Sequence, residues 1–564
     1  MRENSYFTED NLVESPLVEY ITNLWDDKDC FINAYSEDED LLGRKDKSEV
    51  ILFRSLLKSL KLINPNLSSN SLEKAVNELS KNRMNSNPVK TNKEIYYLIR
   101  DGYLITDNED EEESELVKFI DFDNIEKNEF KLVSQLWIQE GDYTRRPDLI
   151  VFVNGLPLIV IEAKNLEYDV YDAYNNNIRD YRDTIPKLFW FNLAIIITNG
   201  LDSKVGSTFS SYEFFNEWND LNNTSETNNY SKALFLFESL LKKEVLLDIF
   251  ENFILFNKNN AEKYFPRYFQ YFGVNSTYQA LKSNPENKKL GVFWHTQGSG
   301  KSMSNIFLTT KISRKISDNY TYVVLTDTTE LDSQILDDYL EVDAAFSYEH
   351  PRTIKGLKKV LSEDHRYIFT IIHLFQDIEN FISDRNNIIV LADEAHRTQY
   401  GILATNMRKA LPNAYFLGFT GTPLIDKEGE RTREIFGDYT SIYNFADSVN
   451  DNVTVPLFHE NRVPPMKLVN EDFFEDLTKL MEEKEINLSD EEKILNKYSG
   501  LYEILTRDQR LDWIAEDIVT HYSKRGFDGK ALVVSVDKAT SVRMYIKFKK
   551  SWDEYLEKLK WKMV

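Results

Sequence analysis

The chain has 564 residues, with 68 Lys and Arg against 93 Asp and Glu and a formal charge of −25. Hydrophobic residues make up 42% and charged residues 29%, which excludes a mainly disordered chain, a collagen and a disulfide-rich mini-protein. At about 150 residues per domain the length predicts about four domains. So acidic a chain binds nucleic acid poorly as a whole, so any DNA contact must come from local basic patches or a bound metal.

The composition also predicts a cytoplasmic protein that does not enter a membrane. No uninterrupted apolar run approaches the roughly 18 residues of a membrane-spanning helix. The first residues are polar and acidic, unlike a secretory signal peptide. The single cysteine, Cys30, allows no internal disulfide, which fits a reducing compartment.

The first clear elements along the chain are a helix and a hairpin. Apolar residues at helical spacing predict an amphipathic helix at 48–62. Short β-rich runs at 149–153 and 158–163 are joined by Asn154-Gly155, a dipeptide typical of two-residue turns. We therefore expect a β-hairpin there.

Further along the chain, buried strands begin to alternate with helices. This alternation predicts an α/β domain with a largely parallel sheet. After residue 461 we expect a mostly helical, acidic region at 471–493. The strands predicted in this part of the chain are 191–198, 290–294, 322–326, 367–370, 388–392, 415–419 and 530–536.

Two carboxylates and a lysine are predicted to converge at one end of the hairpin. Asp148 begins its first arm, and Glu162 and Lys164 end its second arm on the same face of a strand. Two converging carboxylates can hold Mg²⁺, which neutralises a phosphate and polarises a water, while the lysine adds positive charge beside the scissile phosphate. Pro-Asp…Glu-x-Lys is the pattern of restriction-type nucleases. The alternative is an edge strand with salt-bridging charges, which the apolar flanks and the motifs downstream disfavour.

A phosphate-binding loop is predicted at 295–302, between a predicted strand and a helix. Its glycines permit turns that aim backbone N–H groups at phosphates, Lys301 should reach the β- and γ-phosphates, and Ser302 should ligate Mg²⁺. His295 stands where the simple pattern has its first glycine, and a Gly-Ser surface loop is the alternative. The residues of this loop predicted to bind ATP are Thr296, Gln297, Gly298, Ser299, Gly300, Lys301 and Ser302.

Asp393 and Glu394 directly follow the predicted strand at 388–392, as the acidic motif of an ATPase should. Asp393 would hold Mg²⁺ through its water shell, and Glu394 would orient the attacking water. Phosphoryl transfer needs positioning and charge neutralisation more than covalent chemistry, so these few groups suffice in kind. Acidic residues alone more often mark a helix start, but the buried strand and the upstream loop disfavour that alternative.

Further motifs complete an ordered set. Arg267-Tyr-Phe-Gln270 precedes the loop, Asp393-Glu-Ala-His396 follows it, and Thr420-Gly-Thr-Pro423 comes after the next strand. In this order they resemble the adenine-reading Q motif, motifs I and II, and motif III of superfamily 2 helicases. The roles that this resemblance implies are ATP binding for Arg267 and Gln270, and coupling of ATP hydrolysis to DNA movement for His396, Thr420 and Thr422.

Both sets of motifs resemble those of one family. The segment from Arg145 to Lys164 looks like the nuclease signature of the R, or motor, subunit of type I restriction–modification enzymes. The segments 295–302, 326–334 and 393–401, with 418–423, are similar to its motor signatures. The resemblance runs from about residue 42 to about residue 542.

This resemblance implies Mg²⁺ and ATP as cofactors and double-stranded DNA as substrate. It implies two partners, a methyltransferase subunit and a DNA-specificity subunit, with the nuclease cutting far from the recognised site. We therefore predict an α/β chain with a restriction-endonuclease-like nuclease domain at 1–255. A RecA-like superfamily 2 helicase domain should follow at 256–458, and an incomplete second RecA-like domain at 459–564.

One feature departs from the nuclease pattern of the family, which commonly has a glutamine four residues before a tyrosine. Here Asn177 precedes Tyr181, so the resemblance implies a catalytic role for Tyr181 and leaves the shorter Asn177 open. A further carboxylate often comes from an upstream helix, and Glu14, Glu19 and Glu49 are the candidates.

A second departure lies near the end of the sequence. The predicted strand at 530–536 resembles motif IV, which opens the second RecA-like domain, but no later motif carries the arginines that reach the γ-phosphate. The expectation is a C-terminally truncated R subunit. Two alternatives stay open, a stand-alone DNA helicase–nuclease and an inactive truncated remnant of the motor subunit.

Overall fold

The computed structural model of the chain forms two compact units, Met1–Pro456 and Leu457–Val564. The structure describes residues 10–36, 41–84, 86–105, 114–221, 229–376, 381–394, 406–422, 427–462, 502, 505–526 and 529–563.

The first 255 residues combine helices with one main sheet. The helices are α1 Ser15–Leu24, α2 Phe53–Ile63, α3 Ser69–Leu79, α4 Pro88–Asp101, α5 Val170–Asp172, α6 Arg179–Thr184, α7 Asn229–Leu240 and α8 Lys243–Asn252. A π-helical turn, Ala173–Ile178, joins α5 to α6. The strands are β1 Phe31–Asn33, β2 Tyr103–Ile105, β3 Glu115–Val117, β4 Phe130–Ser134, β5 Ile138–Glu140, β6 Tyr143–Arg145, β7 Leu149–Val153, β8 Leu156–Ala163, β9 Ala194–Thr198 and β10 Ser203–Ser207.

Within the described residues, the main sheet has the order β1-β4-β7-β8-β9-β10. β7 is antiparallel to both β4 and β8, whereas β8 and β9 are parallel. Ser134, Leu149, Ile161 and Ile196 lie side by side across β4, β7, β8 and β9. Just past this row β4, β8 and β9 end and β7 begins. This end of the sheet is called the Asp148 end.

The predicted hairpin is confirmed, with its second strand two residues longer than expected. Asn154 and Gly155 have φ of 52° and 79°, and a two-residue type I′ turn requires positive φ at both positions. A Cβ at Gly155 would lie 2.4 Å from the Leu52 carbonyl oxygen, so only glycine fits there. The Leu52 N–H donates to the Gly155 carbonyl, and the helix predicted at 48–62 therefore begins only at Phe53.

The rest of the first unit is built around a second sheet. Its helices are α9 Tyr268–Ser283, α10 Lys301–Lys315, α11 Thr329–Glu341, α12 Ile354–Ser362, α13 Lys427–Phe436 and α14 Phe445–Asn450. Its strands are β11 Leu255–Phe256, β12 Lys263–Tyr264, β13 Lys289–His295, β14 Thr321–Thr326, β15 Tyr348–Glu349, β16 Tyr367–Ile371, β17 Ile388–Ala392, β18 Tyr415–Thr420 and β19 Tyr439–Tyr443. In the part that the structure describes, the sheet order is β15-β16-β14-β17-β18-β13-β19, and the pairs are parallel. The expected parallel α/β sheet is confirmed, and β19 is an addition that the pattern did not predict.

One hydrophobic core runs through both halves of the first unit. Leu158 of β8, Phe250 of α8 and Phe293 of β13 belong to the same buried cluster. A second cluster, with Leu325 and Phe416, packs elsewhere on the second sheet. None of the helices in the described part of the chain is long and apolar enough to cross a bilayer.

A buried lysine also joins the two halves. Lys263 of β12 donates from Nζ to the carbonyl oxygens of Asn192 and Leu193, at 2.7 and 3.1 Å, and to Thr208 Oγ1 at 2.6 Å. These acceptors flank β9 and β10 of the first sheet. Three acceptors satisfy the three protons of an ammonium group.

The second unit contains α15 Asp508–Lys524 and α16 Lys538–Met563, which pack around Leu511, Ala515 and Met544. The strand predicted at 530–536 is wrong. The described residues there form no strand, and Leu532 and Val534 are 88% and 84% exposed. A strand depends on neighbouring strands, and no described segment pairs with this one. The helical region predicted at 471–493 lies outside the described residues.

Candidate nuclease and ATP sites

Asp148 and Glu162 lie together at the Asp148 end of the first sheet. The pairing of Leu149 with Ile161 places the residue before β7 beside the penultimate residues of β8. Asp148 Oδ2 accepts from the Ala163 N–H at 2.9 Å, and the Asp148 charge acts directly on Glu162. Asp148 is 9% exposed and Glu162 is fully buried. The register of β7 and β8 thus brings the two carboxylates close together.

Burial opposes the charged form of both groups. It raises the pKa of Asp148, and burial together with the adjacent Asp148 charge raises the pKa of Glu162 well above its ordinary value. Lys164 acts in the opposite direction, with its Nζ 3.6 Å from Glu162 Oε1. Glu162 Oε2 is buried without a hydrogen-bond partner. Further positive charge between the oxygens of Asp148 and Glu162 would stabilise the charged form of both carboxyl groups.

A divalent cation fits this arrangement. Mg²⁺ is usually held by one or two carboxylates and several waters rather than by a complete cage of protein ligands. Among the described residues, no group of three or more His, Cys, Asp or Glu side chains could form such a cage. The unpartnered oxygen of Glu162 and the adjacent Asp148 are the available ligands.

A short helical segment supplies the remaining contacts of Glu162. Tyr181 OH donates to Glu162 Oε1 at 3.3 Å. The Asn177 amide donates to the same oxygen and, at 3.4 Å, to Tyr181 OH. Asn177 lies in the π-helical turn before α6, a helix form frequent at functional sites. The structure therefore places Asn177 in contact with the carboxylate although it is one methylene shorter than glutamine.

Of the three glutamates left open by the sequence, Glu14 is connected to this site. Gln135 Nε2 donates to Glu14 Oε2 at 2.8 Å and lies 3.4 Å from Asp148 Oδ1. Glu14 is 6% exposed and immediately precedes α1. Glu19 is exposed, and the Glu49 carboxylate accepts from the Lys45 N–H. Sequence reasoning missed Gln135, because only the pairing of β4 with β7 brings it beside Asp148.

The loop at 295–302 joins β13 to α10, the strand–loop–helix context that was predicted. Gly298 and Gly300 both have φ of 82°. A Cβ at Gly300 would lie 2.8 Å from Gln270 Nε2, and one at Gly421 would lie 3.2 Å from Lys301 Nζ. The Lys301 ammonium therefore lies over the end of β18. With the backbone N–H groups at the start of α10, it forms a cradle that fits phosphate groups.

The other loop residues hold this cradle in shape. Ser299 Oγ donates to the Thr296 carbonyl at 2.6 Å. Gln297 packs closely against Gly421, where an added Cβ would lie 2.9 Å from Gln297 Cγ. Ser302 lies beside Asp338 of α11. The loop is thus tied to two neighbouring elements.

His295 is a core residue. It is fully buried, its Nε2 lies 2.7 Å from Ser441 Oγ of β19, and its ring centroid lies 4.1 Å from that of Phe293. Burial and the nearby Lys301 charge lower the pKa of His295 well below its ordinary value, so the ring is neutral. A buried histidine therefore replaces the glycine of the simple loop pattern without altering the cradle.

Gln270 braces the phosphate loop from α9. Its Oε1 accepts from the Arg267 N–H at 2.9 Å, and its Nε2 donates to the Gly300 carbonyl at 3.1 Å. Adenine reading by Gln270 and ATP contact by Arg267 stay predictions.

An aromatic cluster next to Gln270 in the chain was not foreseen. Tyr268 OH and Tyr443 OH donate to Asp451 Oδ2 at 2.7 and 2.8 Å, and Phe269 stacks on Tyr443 with ring centroids 3.8 Å apart. The Tyr-Phe pair inside the Arg267–Gln270 motif was the available signal. β19, which carries Tyr443, could not be placed from sequence.

Asp393 and Glu394 follow β17, and Thr420 ends β18. β18 lies between β17 and β13, and the three strands are parallel. These residues and the phosphate loop therefore all lie at the carboxyl ends of three adjacent strands. Ligand sites of parallel α/β sheets form at this end. Thr420 Oγ1 accepts from the Thr422 N–H at 3.2 Å. His396 lies outside the described residues.

Two protein families match successive parts of the chain. Residues 6–214 match the type I restriction enzyme R protein N terminus, and residues 269–493 match the SWI2/SNF2 ATPase family. The HindI type I restriction enzyme endonuclease subunit of Haemophilus influenzae is 32% identical over 552 residues. The chain is homologous to the endonuclease subunits of type I restriction enzymes. The match to the HindI subunit covers 90% of this chain and 51% of that protein.

A second endonuclease subunit of this family, named MjaIXP, from Methanocaldococcus jannaschii, is 31% identical over 96% of this chain and 55% of its own length. The chain thus spans about half the length of the curated relatives it matches. A fragment structure of an HsdR subunit from Vibrio vulnificus matches 76% of this chain and 71% of its own, with 14% identity and a TM-score of 0.32. A similarity that low adds nothing to the sequence relationship. The ATPase match implies that the second half of the first unit uses ATP.

Proposed function

We propose that this chain carries the nuclease and ATP-driven motor functions of a type I restriction–modification complex. It would translocate double-stranded DNA with ATP and cut it away from the recognition site, together with a methyltransferase subunit and a specificity subunit. The observation that carries the proposal is the convergence of Asp148 and the unpartnered Glu162 oxygen, in one compact unit with a phosphate cradle. The domains would be a nuclease at 1–255, a first RecA-like domain at 256–458 and part of a second from 459 onward.

In the nuclease site, Asp148 and Glu162 would hold Mg²⁺, which supplies charge neutralisation at the phosphate and a more acidic water. Lys164 adds positive charge where the phosphate would sit. Tyr181 and Asn177 hold one Glu162 oxygen, leaving the other for the cation. Glu14 supports Asp148 through Gln135.

In the ATP site, backbone N–H groups of the 295–302 loop and Lys301 would bind the β- and γ-phosphates. Ser302 and Asp393 would hold Mg²⁺, Glu394 would orient the attacking water, and Thr420 and Thr422 would couple hydrolysis to DNA movement. The cradle, shaped by Gly298 and Gly300, supports this assignment.

The test is DNA cleavage by the chain in complex with its modification and specificity subunits. Cutting of unmodified plasmid should require both Mg²⁺ and ATP, and the cut positions should scatter away from the recognition site. Cleavage that needs no ATP, or that falls at one fixed position, would contradict the motor-driven mechanism.

A further inference from the structure

Arg146, two residues before Asp148, is held against two aromatic rings. Its guanidinium lies 4.7 Å from the ring centroid of Tyr35 and 5.0 Å from that of Trp137. Trp137 Nε1–H donates to the Tyr35 carbonyl at 3.0 Å, which ties the two ring-bearing segments together. Lys47 Nζ lies 5.3 Å from the same indole ring. These four residues, Tyr35, Lys47, Trp137 and Arg146, are called the Arg146 cluster.

The Arg146 cluster lies at the Asp148 end of the sheet. Asn33, Ser134 and Leu149 are side by side in β1, β4 and β7. Tyr35 follows Asn33 by two residues, Trp137 follows Ser134 by three, and Arg146 precedes Leu149 by three. All three segments therefore extend beyond the sheet at the end where the two carboxylates converge.

Arg146 differs in its contacts from the arginine beside it. Arg145 makes a bidentate ion pair with Asp180, with Nη2 2.9 Å from Oδ1. No carboxylate within the described chain pairs with Arg146, whose contacts there are the two rings. A stacked guanidinium keeps its N–H edge for an oxyanion and loses little side-chain freedom when it binds one.

We propose that the Arg146 cluster is a docking surface for the phosphate backbone of duplex DNA, which it positions over Asp148 and Glu162. This rests on the proposed nuclease function. Duplex is favoured over single-stranded DNA because the rings of Tyr35 and Trp137 already carry cations, whereas single strands bind by stacking bases on open aromatic faces. Arg146 is a positioning residue, since it contacts a phosphate other than the one being cut.

A local fluorescent reporter tests the docking surface. Tyr143 is 54% exposed on β6 next to Arg145, and Cys30 is 3% exposed, so a dye reacts with Tyr143→Cys alone. The dye signal should change when a short duplex is added with Ca²⁺ in place of Mg²⁺. The same dye at Leu62→Cys, an exposed position on α2, is the matched control and should not respond.

In the Tyr143-labelled protein, Arg146→Ala should weaken duplex binding. The slope of log affinity against log salt should fall by about 0.9, the value for one phosphate contact. Arg146→Lys keeps the charge and should restore that slope. Lys58→Ala removes a surface charge near Glu129, at the turn end of the hairpin, and should change neither quantity.

Unchanged affinity and slope in a folded Arg146→Ala protein would overturn the docking surface, as would weaker binding at an unchanged slope, which would mark a structural role. A preference for single-stranded DNA would overturn it too. Failure of the unsubstituted protein to bind duplex would instead count against the proposed function.

Discussion

The proposed nuclease site and the proposed ATP site each lie at one end of a sheet, but each uses a different part of its sheet. Glu162 is a fully buried residue within a strand, and Asp148 sits where the adjacent strand begins. Lys301 lies partly exposed at the start of a helix, after a loop shaped by two left-handed glycines. Strand register therefore fixes the geometry of the first site and loop conformation that of the second. It follows that each site can be disabled without disturbing the other.

The largest expected effect comes from Asp148→Asn, which keeps the shape of the side chain and removes its charge. DNA cleavage by the complex should fall roughly 10²- to 10³-fold or more. The reason is that Mg²⁺, which would balance the charge of the phosphate, loses one of its two proposed carboxylate ligands. ATP hydrolysis should persist, because the phosphate cradle is on the other sheet. Glu129→Gln is the control, a carboxylate paired with Lys58 and Lys131 at the far end of the hairpin. Equal loss of both activities in a folded protein would contradict two separable sites.

The reciprocal variant is Lys301→Ala. Loss of its ammonium from the phosphate cradle should lower ATP hydrolysis by roughly 10²- to 10³-fold, measured by phosphate release. Translocation, followed by displacement of a triplex-forming strand, should fail, and with it cleavage of distant DNA. Lys282→Ala, an exposed lysine of α9, should behave like the unsubstituted protein. Normal translocation by Lys301→Ala would refute the motor assignment.

A smaller effect is expected from the residue that supports Glu162. Asn177→Ala removes the amide that donates to Glu162 and to Tyr181, and supporting contacts of this kind are typically worth about 10-fold or more. Single-turnover cleavage across a range of Mg²⁺ concentrations should show a raised Mg²⁺ requirement. Asn176→Ala, its exposed neighbour, should leave the requirement unchanged. An unchanged Mg²⁺ requirement in Asn177→Ala would remove Asn177 from the site.

The smallest effect concerns Lys263, which joins the two halves. Burial lowers its pKa well below the ordinary value of 10.5, so between these two values the unfolded chain binds more protons than the folded chain. Stability must then rise with pH across that window. The unfolding free energy of the unsubstituted protein relative to Lys263→Met should therefore increase from pH 8 to pH 10 in urea titrations. The exposed control Lys58→Met should show no such trend, and a flat difference for Lys263→Met would contradict the shift.

Local chemistry made much of the nuclease hairpin and the parallel sheet predictable. Asn154-Gly155 specifies its turn by itself, and runs such as 388–392 are apolar enough to identify buried strands. The strand at 530–536 failed because a strand also needs partners, which no local pattern reveals. Residue identity alone cannot say that a segment will remain unpaired.

Long-range contacts account for what was missed at the sites. Gln135 reaches Asp148 only through strand pairing, and Glu14 only through Gln135. Tyr443 packs against His295 at the start of the phosphate loop, although its short strand lies more than 140 residues after β13. The residue types of the candidate sites and their spacing could be recognised in the sequence. The groups that contact them could not, because those contacts depend on which elements become neighbours in the fold.

The continuous core of the first unit bears on how such proteins exchange parts. Phe253 lies just before the proposed boundary at residue 255, and its ring packs against Tyr271 and Phe307, with centroids 4.9 and 5.5 Å away. Tyr96, in the first half, packs against Phe256 just after that boundary, with ring centroids 5.2 Å apart. A recombination event that joined a foreign nuclease segment at this point would leave several aromatic faces mismatched. We therefore expect the two halves of the first unit to fold together, and hybrids between relatives to function only where both sides of this aromatic contact come from the same parent.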